Sequence, residues 1–135
     1  MNAILIDSKH RSIQYIDLEN DTVECLGQAI DEEHILPVPC DEALLQKHFL
    51  ITDEVPYLKE EQTVYGAFTV KGFDAKDYVY NKAIIVGPPT NGRFTDCTLP
   101  LEALSDRIQF ETEHNAKEYH RIARTLDMSR WDIKL

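Results

Sequence analysis

Apolar residues fall in short runs and alternations along most of the chain, the pattern of strands, and switch to helical spacing in three places. Ala3, Ile4, Leu5 and Ile6 form an apolar run that ends in the turn-prone Asp7, Ser8, Lys9 and His10, and Ser12 to Leu18 then roughly alternates. These two segments predict a hairpin. The alternation slips between Tyr15 and Ile16, which requires either a bulge or one apolar side chain facing water. Asp21 stands three residues before Glu24 as in a capping box, and Val23, Leu26 and Ile30 follow at helical spacing, predicting a helix over 22–32. Gly27 inside that helix is unfavourable by about 1 kcal/mol relative to Ala, so close packing against another backbone is expected there.

Between His34 and Pro56 the pattern is ambiguous: Pro37 and Pro39 are expected to prevent regular pairing, and the runs at 42–45 and 48–51 fit helix or strand. Thr63 to Val70 alternates and predicts a strand, with Val64, Gly66, Phe68 and Val70 on one side. Residues 83–86 read as a buried strand, Pro88 to Gly92 as a turn and Arg93 to Cys97 as a returning strand. A helix follows, with Thr98 as its cap, Pro100 in its first turn and Leu101, Leu104 and Ile108 along one side. Residues 112–126 predict a last helix with apolar positions at Ala116, Tyr119, Ile122, Ala123 and Leu126, and 128–135 have no period of their own. The expected fold is a single α+β domain over 1–135: a mixed, mostly antiparallel sheet of about five strands with two or three helices packed on one face. Residues 111–135 form a helix and tail appended to that core.

Charge changes this picture more than composition does. Residues 1–62 hold fourteen Asp and Glu against four Lys and Arg, whereas 63–135 hold ten of each, so the whole net charge of −10 belongs to the first half. Such a field favours encounter with a basic surface and disfavours nucleic-acid phosphates and anionic lipid. The three cysteines, Cys25, Cys40 and Cys97, are odd in number and have no metal-like spacing, which fits a reducing, cytoplasmic setting. No apolar run approaches the length of a membrane span, and no signal segment precedes the first strand pattern.

Residues 2–18, NAILIDSKHRSIQYIDL, and 81–110, NKAIIVGPPTNGRFTDCTLPLEALSDRIQF, together resemble a family of small proteins of uncharacterised function carried by phages, plasmids and other mobile elements. Members begin with an apolar strand ending in Ile-Asp, here Ile6 and Asp7, followed by a second strand and an acidic helix, here Ile13 to Leu18 and Asp21 to Ile30. They close with a strand, a Gly-containing turn, a Thr-Leu-capped helix and a Phe, here Ile84 to Gly92, Thr98 to Leu104 and Phe110. The stretch between Cys40 and Gly72 departs from that pattern, as do the helix and tail after Phe110. The resemblance carries no activity; it implies an accessory protein of a mobile element, a setting in which host-defence and host-takeover roles are common.

No motif in the chain specifies catalysis. Gly87 and Gly92 flank Pro88, Pro89, Thr90 and Asn91 with Arg93 following, but the prolines have no amide for a phosphate and the next segment reads as a strand, so Asn91-Gly92 is a hairpin corner instead of a nucleotide cradle. The histidines at 10, 34, 48, 114 and 120 lack metal-ligand spacing; His114 and Glu118 fit an ordinary i,i+4 pair. Cys97 beside Asp96 and Ser8 beside Asp7 lie outside any nucleophile signature. No catalytic residue, metal or cofactor is expected.

Two binding surfaces are expected in their place. The first is an acidic face of Glu32, Glu33, Asp41, Glu42, Asp53, Glu54, Glu60 and Glu61 that docks on a basic partner surface, a host protein whose nucleic acid the carboxylates imitate. Against it stands the ordinary role of carboxylates as solvated surface. The basic last helix and tail, with Lys117, Arg121, Arg124, Arg130 and Lys134 around Trp131, offer a docking face for the acidic half of another copy, and Trp131 belongs with the partner-binding positions. The second is an alternative of another class: a nucleotide-type pocket near 87–93, with Arg93 on a phosphate and Tyr65, Phe73, Tyr78 or Tyr80 stacked on a base.

Overall fold

The computed structural model describes residues 1–75 and 78–133, with side chains followed through residue 126. Strands β1 (Asn2–Asp7) and β2 (Ser12–Asp17) form the expected hairpin in unbroken register, Asn2 opposite Asp17 through Asp7 opposite Ser12. No bulge intervenes. The slip in alternation is absorbed by Tyr15, which is 52% exposed and donates its hydroxyl to the Leu99 carbonyl at 2.9 Å.

Helix α1 (Val23–Ile30) begins at a different cap from the one the capping box suggests. Thr22 Oγ1 accepts the Cys25 amide at 3.2 Å, while Asp21 is drawn away to Arg93 and the Phe94 amide. The helix ends at Asp31, whose φ of 61° is left-handed. Any side chain at Gly27 would strike the Glu32 carbonyl, so the fold of the chain onto itself at this end explains the glycine.

Strands β3 (Ile35–Pro39) and β4 (Phe49–Asp53) settle the ambiguous region, with a single 3-10 turn at Ala43–Leu45 between them. The expectation that Pro37 and Pro39 forbid pairing is overturned, for a geometric reason. The Cys40 amide bonds His48 O and His34 O accepts the Glu54 amide, so even-numbered positions of this segment face β4 and the two proline nitrogens face outward on an edge strand. Buried His48 secures the turn: Nδ1–H donates to Gln46 O and Nε2 accepts the Thr98 amide, both at 3.1 Å.

The remaining strands are β5 (Ala67–Val70), β6 (Val79–Tyr80), β7 (Lys82–Thr90), β8 (Arg93–Thr95) and β9 (Ile108–Glu111). Among the described residues all strand pairings are antiparallel and form two sheets, one ordered β2-β1-β7-β4-β3 with β8 on the end of β7, and one ordered β6-β5-β9. The fold is α+β, as expected, but the single mixed sheet is replaced by two sheets. Strand 63–70 is shorter than its pattern because Glu61–Thr63 is a 3-10 turn, a second one lying at Pro56–Leu58. Thr98 is not the cap, because α2 (Glu102–Ser105) starts later, with Leu101 at its cap position, while the Thr98 amide and hydroxyl lie against His48 Nε2; α2 is one turn long and Ile108 belongs to β9. Asn91 and Gly92 take positive φ of 55° and 77° at the β7–β8 corner, as a hairpin requires.

Strand β7 is buried on both faces, which is why its sequence reads as one apolar run. Ile84 and Val86 pack with Leu26 and Ile30 of α1 on one side. On the other, Ile85 packs with Ile4, Ile6, Phe68 and Leu104, joining the large sheet to the small one. Helix α3 (Glu113–Ile133) packs on the small sheet instead of beside α1, with Ala116 against Val64, Ala67 and Tyr80. The helices therefore do not share one face. The backbone stays helical past residue 126 as far as Ile133, where a tail was expected from 128, and the Trp131 side chain lies outside the described residues.

Candidate functional site

The acidic positions do not gather into one face. In β3 and β4 the antiparallel register brings Ile35 opposite Asp53, so Glu32, Glu33, Asp53 and Glu54 meet at one end of the hairpin. Asp41 and Glu42 belong to the other end, with the five residues of β3, about 16 Å at strand rise, between them and Glu33. Glu60 and Glu61 lie at a third place, beside α3.

Internal cations also meet much of this charge. Lys59 pairs with Glu32 and stands 3.5 Å from Asp53, with all three side chains less than one-fifth exposed. Glu42 pairs with Arg107, and Glu60 lies 3.6 Å from Arg124. Asp31 holds Lys82 at 2.8 Å and Asp21 holds Arg93 at 2.6 Å. Burial raises the Glu32 pKa above its ordinary value, with the neighbouring Asp53 charge adding to it against the attraction of Lys59. Exposed Glu33, Glu54 and Asp41 enter no ion pair among the described residues. The expectation of one acidic face is therefore corrected, because the hairpin divides the positions and folding pairs half of them.

The nucleotide-type pocket is also corrected. Arg93 is held by Asp21, whose pKa that guanidinium lowers, at the β7–β8 corner, away from the tyrosines it was to join. Tyr65 lies elsewhere again, its amide donating to Asn81 Oδ1 and its ring 6.0 Å from the Lys9 ammonium. Burial, together with nearby Asp7, Asp31 and Glu32, pushes the Tyr65 hydroxyl well above its usual pKa. Of the two nucleophile candidates, Ser8 Oγ is buried and donates to Asn81 O at 2.6 Å, and burial raises the Cys97 thiol, which disfavours its thiolate. Among the described residues no three His, Cys, Asp or Glu converge as metal ligands, and no helix is long and apolar enough to cross a membrane.

Tyr78 and Tyr80 do share a site, and it is a cleft that sequence patterns do not reveal. Leu36, Val38 and Thr52 from β3 and β4 form one wall, Pro56 and Tyr57 another, and Ala75, Tyr78, Val79 and Tyr80 the third, around a volume of about 340 Å³. Asp53, Glu54 and Asp74 supply its charge, and among the described lining residues there is no Lys, Arg or His. Asp53 is fixed, with one oxygen accepting the Val55 amide at 3.0 Å and the other beside Lys59. Helix α3 sets the aromatic wall from behind. Tyr119 stacks on Tyr78 with ring centres 4.7 Å apart and planes 6° from parallel. Buried His120 meets Tyr80 edge to face at 5.1 Å, and its Nε2 bonds the Pro56 carbonyl at 2.8 Å. Burial and the Tyr119 hydroxyl raise the Tyr78 pKa, so that phenol stays neutral.

Tyr57 and Asp74 are the aromatic and the charged lining residue that the sequence reading did not single out. Tyr57 sits in a 3-10 turn with no periodic signal, and Asp74 reaches the cleft only because Phe73 bridges to Cys40 across the two sheets. Neither family models, curated proteins nor solved structures match this chain.

Proposed function

We propose that the protein is a non-enzymatic binding module that takes a cationic group, the ammonium or guanidinium of a basic partner protein, into the cleft between β3, β4 and β6. One observation carries this: three carboxylates and three tyrosines meet around a single cavity with no Lys, Arg or His in its described lining, and of the three carboxylates only Asp53 has a cation, Lys59, beside it among the described residues. A cation over a tyrosine face gains about 0.5–2 kcal/mol, more as water is excluded, and carboxylates at the rim add attraction and steering. The volume is at the small end for ligand pockets, the size of one side chain head with part of its stem.

This keeps the basic partner of the sequence-based expectation but narrows its contact to one cleft. A nucleic-acid mimic would need a dense, ordered row of carboxylates, about one per 1.7 Å of axis, and does not enter the proposal. The resemblance to mobile-element proteins supports a partner from the host.

The test is titration with an arginine-rich peptide, followed by calorimetry and by chemical shifts of Tyr57, Tyr78 and Tyr80. Saturable binding is expected that weakens as salt rises and weakens further in the double variant Glu54→Gln, Asp74→Asn. Absence of saturation, or binding that the double variant leaves unchanged, overturns the proposal.

A further inference from the structure

The two edges of the large sheet are built differently. On β3 the outward backbone positions are Ile35, Pro37 and Pro39, so two of three carry no N–H to offer. On β2 the Leu18 amide bonds Met1 O and the Met1 amino group bonds Leu18 O, which turns even-numbered positions toward β1. Ile13, Tyr15 and Asp17 consequently point three N–H and three C=O groups away from the sheet, and among the described residues no strand pairs with them. This edge has no proline, no bulge and no lysine, the usual devices that keep an edge from pairing.

We propose that β2 is a self-association edge, where a second copy of this chain adds its own β2 antiparallel across a two-fold axis at Tyr15. The charges flanking the strand favour that occupant and that register. With Tyr15 opposite its own counterpart, Ile13 of each copy faces Asp17 of the other, and just beyond the strand ends Arg11 of each, a turn residue with φ of 49°, comes to the same end as Glu19 of the other. Arg11 and Glu19 are both exposed and enter no ion pair among the described residues. The symmetry thus creates two equivalent cross-strand ion pairs from side chains the single chain leaves unused. Tyr15 on the axis is an exchanging pair in which both copies donate and accept a backbone hydrogen bond. The half-exposed Tyr15 ring, held by its hydroxyl on Leu99 O, meets its symmetry mate on one side of the joined sheet.

One strand pair is a small interface, so a concentration-dependent monomer–dimer equilibrium is expected in sedimentation of the intact protein from the micromolar to the near-millimolar range. Tyr15→Pro removes an N–H that no internal bond uses and is expected to leave a monomer. Arg11→Glu sets like charges opposite Glu19 twice over and is expected to weaken the dimer about tenfold; Arg11→Glu combined with Glu19→Arg is expected to restore it. Should Tyr15→Pro prove unfolded by circular dichroism, the charge-reversal series decides alone. A monomer at every concentration overturns the proposal, whatever else binds the edge, as does a dimer indifferent to the charge reversal and its restoration.

Discussion

Lys59 and Glu32, 27 residues apart in the chain, meet as a nearly buried ion pair, and Asp53 shares the same ammonium from 3.5 Å. One cation thus serves two carboxylates, so the members of the cluster are not equivalent. Lys59→Met leaves two facing carboxylates without compensation and is expected to destabilise the fold by about 2–3 kcal/mol, somewhat less than for fully buried pairs. Glu32→Gln leaves Asp53 and Lys59 matched one to one and is expected to cost less than about 1 kcal/mol. Urea unfolding of both variants at neutral pH distinguishes the two.

The same cluster sets a dependence on acid. The folded pKa of Glu32 is raised above 4.5 by burial, so its ionisation opposes folding, and stability from this group grows as pH falls through the raised value. Asp7 behaves oppositely. Burial pushes its pKa up, but hydrogen bonds from His10 and the Lys9 amide, with the charges of His10 and Lys82, bring it below 3.8, so its contribution is present above that value and is lost as pH falls further. Melting temperature is expected to rise from neutral toward mildly acid solution and then fall below about pH 4. Loss of net charge adds to the rise in every variant. The decisive comparison is that Glu32→Gln flattens the rise and Asp7→Asn softens the fall.

Asn81 is buried with φ of 66°, and its side chain both accepts the Tyr65 amide at 2.9 Å and donates to Thr63 O at 3.0 Å. Its own carbonyl takes Ser8 twice, through amide and hydroxyl. Asn81→Ala loses both side-chain bonds and adds left-handed strain, an expected cost of about 2–4 kcal/mol. Asn81→Gly loses the bonds without the strain and is expected to fall about 1 kcal/mol short of that in thermal or urea unfolding.

Elements whose residues face two apolar layers, or one layer and water, were legible in the sequence. The runs of β1 and β7 and the stripe of α1 follow from Ala3, Ile84 and Val86 meeting Leu26 and Ile30 on one side of the sheet while Ile4, Ile6 and Ile85 meet Phe68 and Leu104 on the other. Where the signal failed, a long-range partner decided the outcome. Thr98 has the chemistry of a cap, yet its amide and hydroxyl both lie against the His48 ring and the helix starts later, and Asp21 has the same chemistry, yet it holds Arg93 and the Phe94 amide. The prolines of β3 looked like breakers because composition does not say which side of a strand is an edge. The cleft was half visible: Tyr78 and Tyr80 stood out as aromatics, but only the meeting of β3, β4 and β6 gives them Glu54 and Asp74 as neighbours, and only folding removes Arg93 from their company.

Because Pro37 and Pro39 silence the far side of the large sheet, any growth by strand addition has one direction available to it. Two copies joined at their open sides leave the large sheet with proline-blocked borders at both ends. Assembly then terminates at two, and the chain escapes the endless ribbon that a sheet with two receptive borders would build.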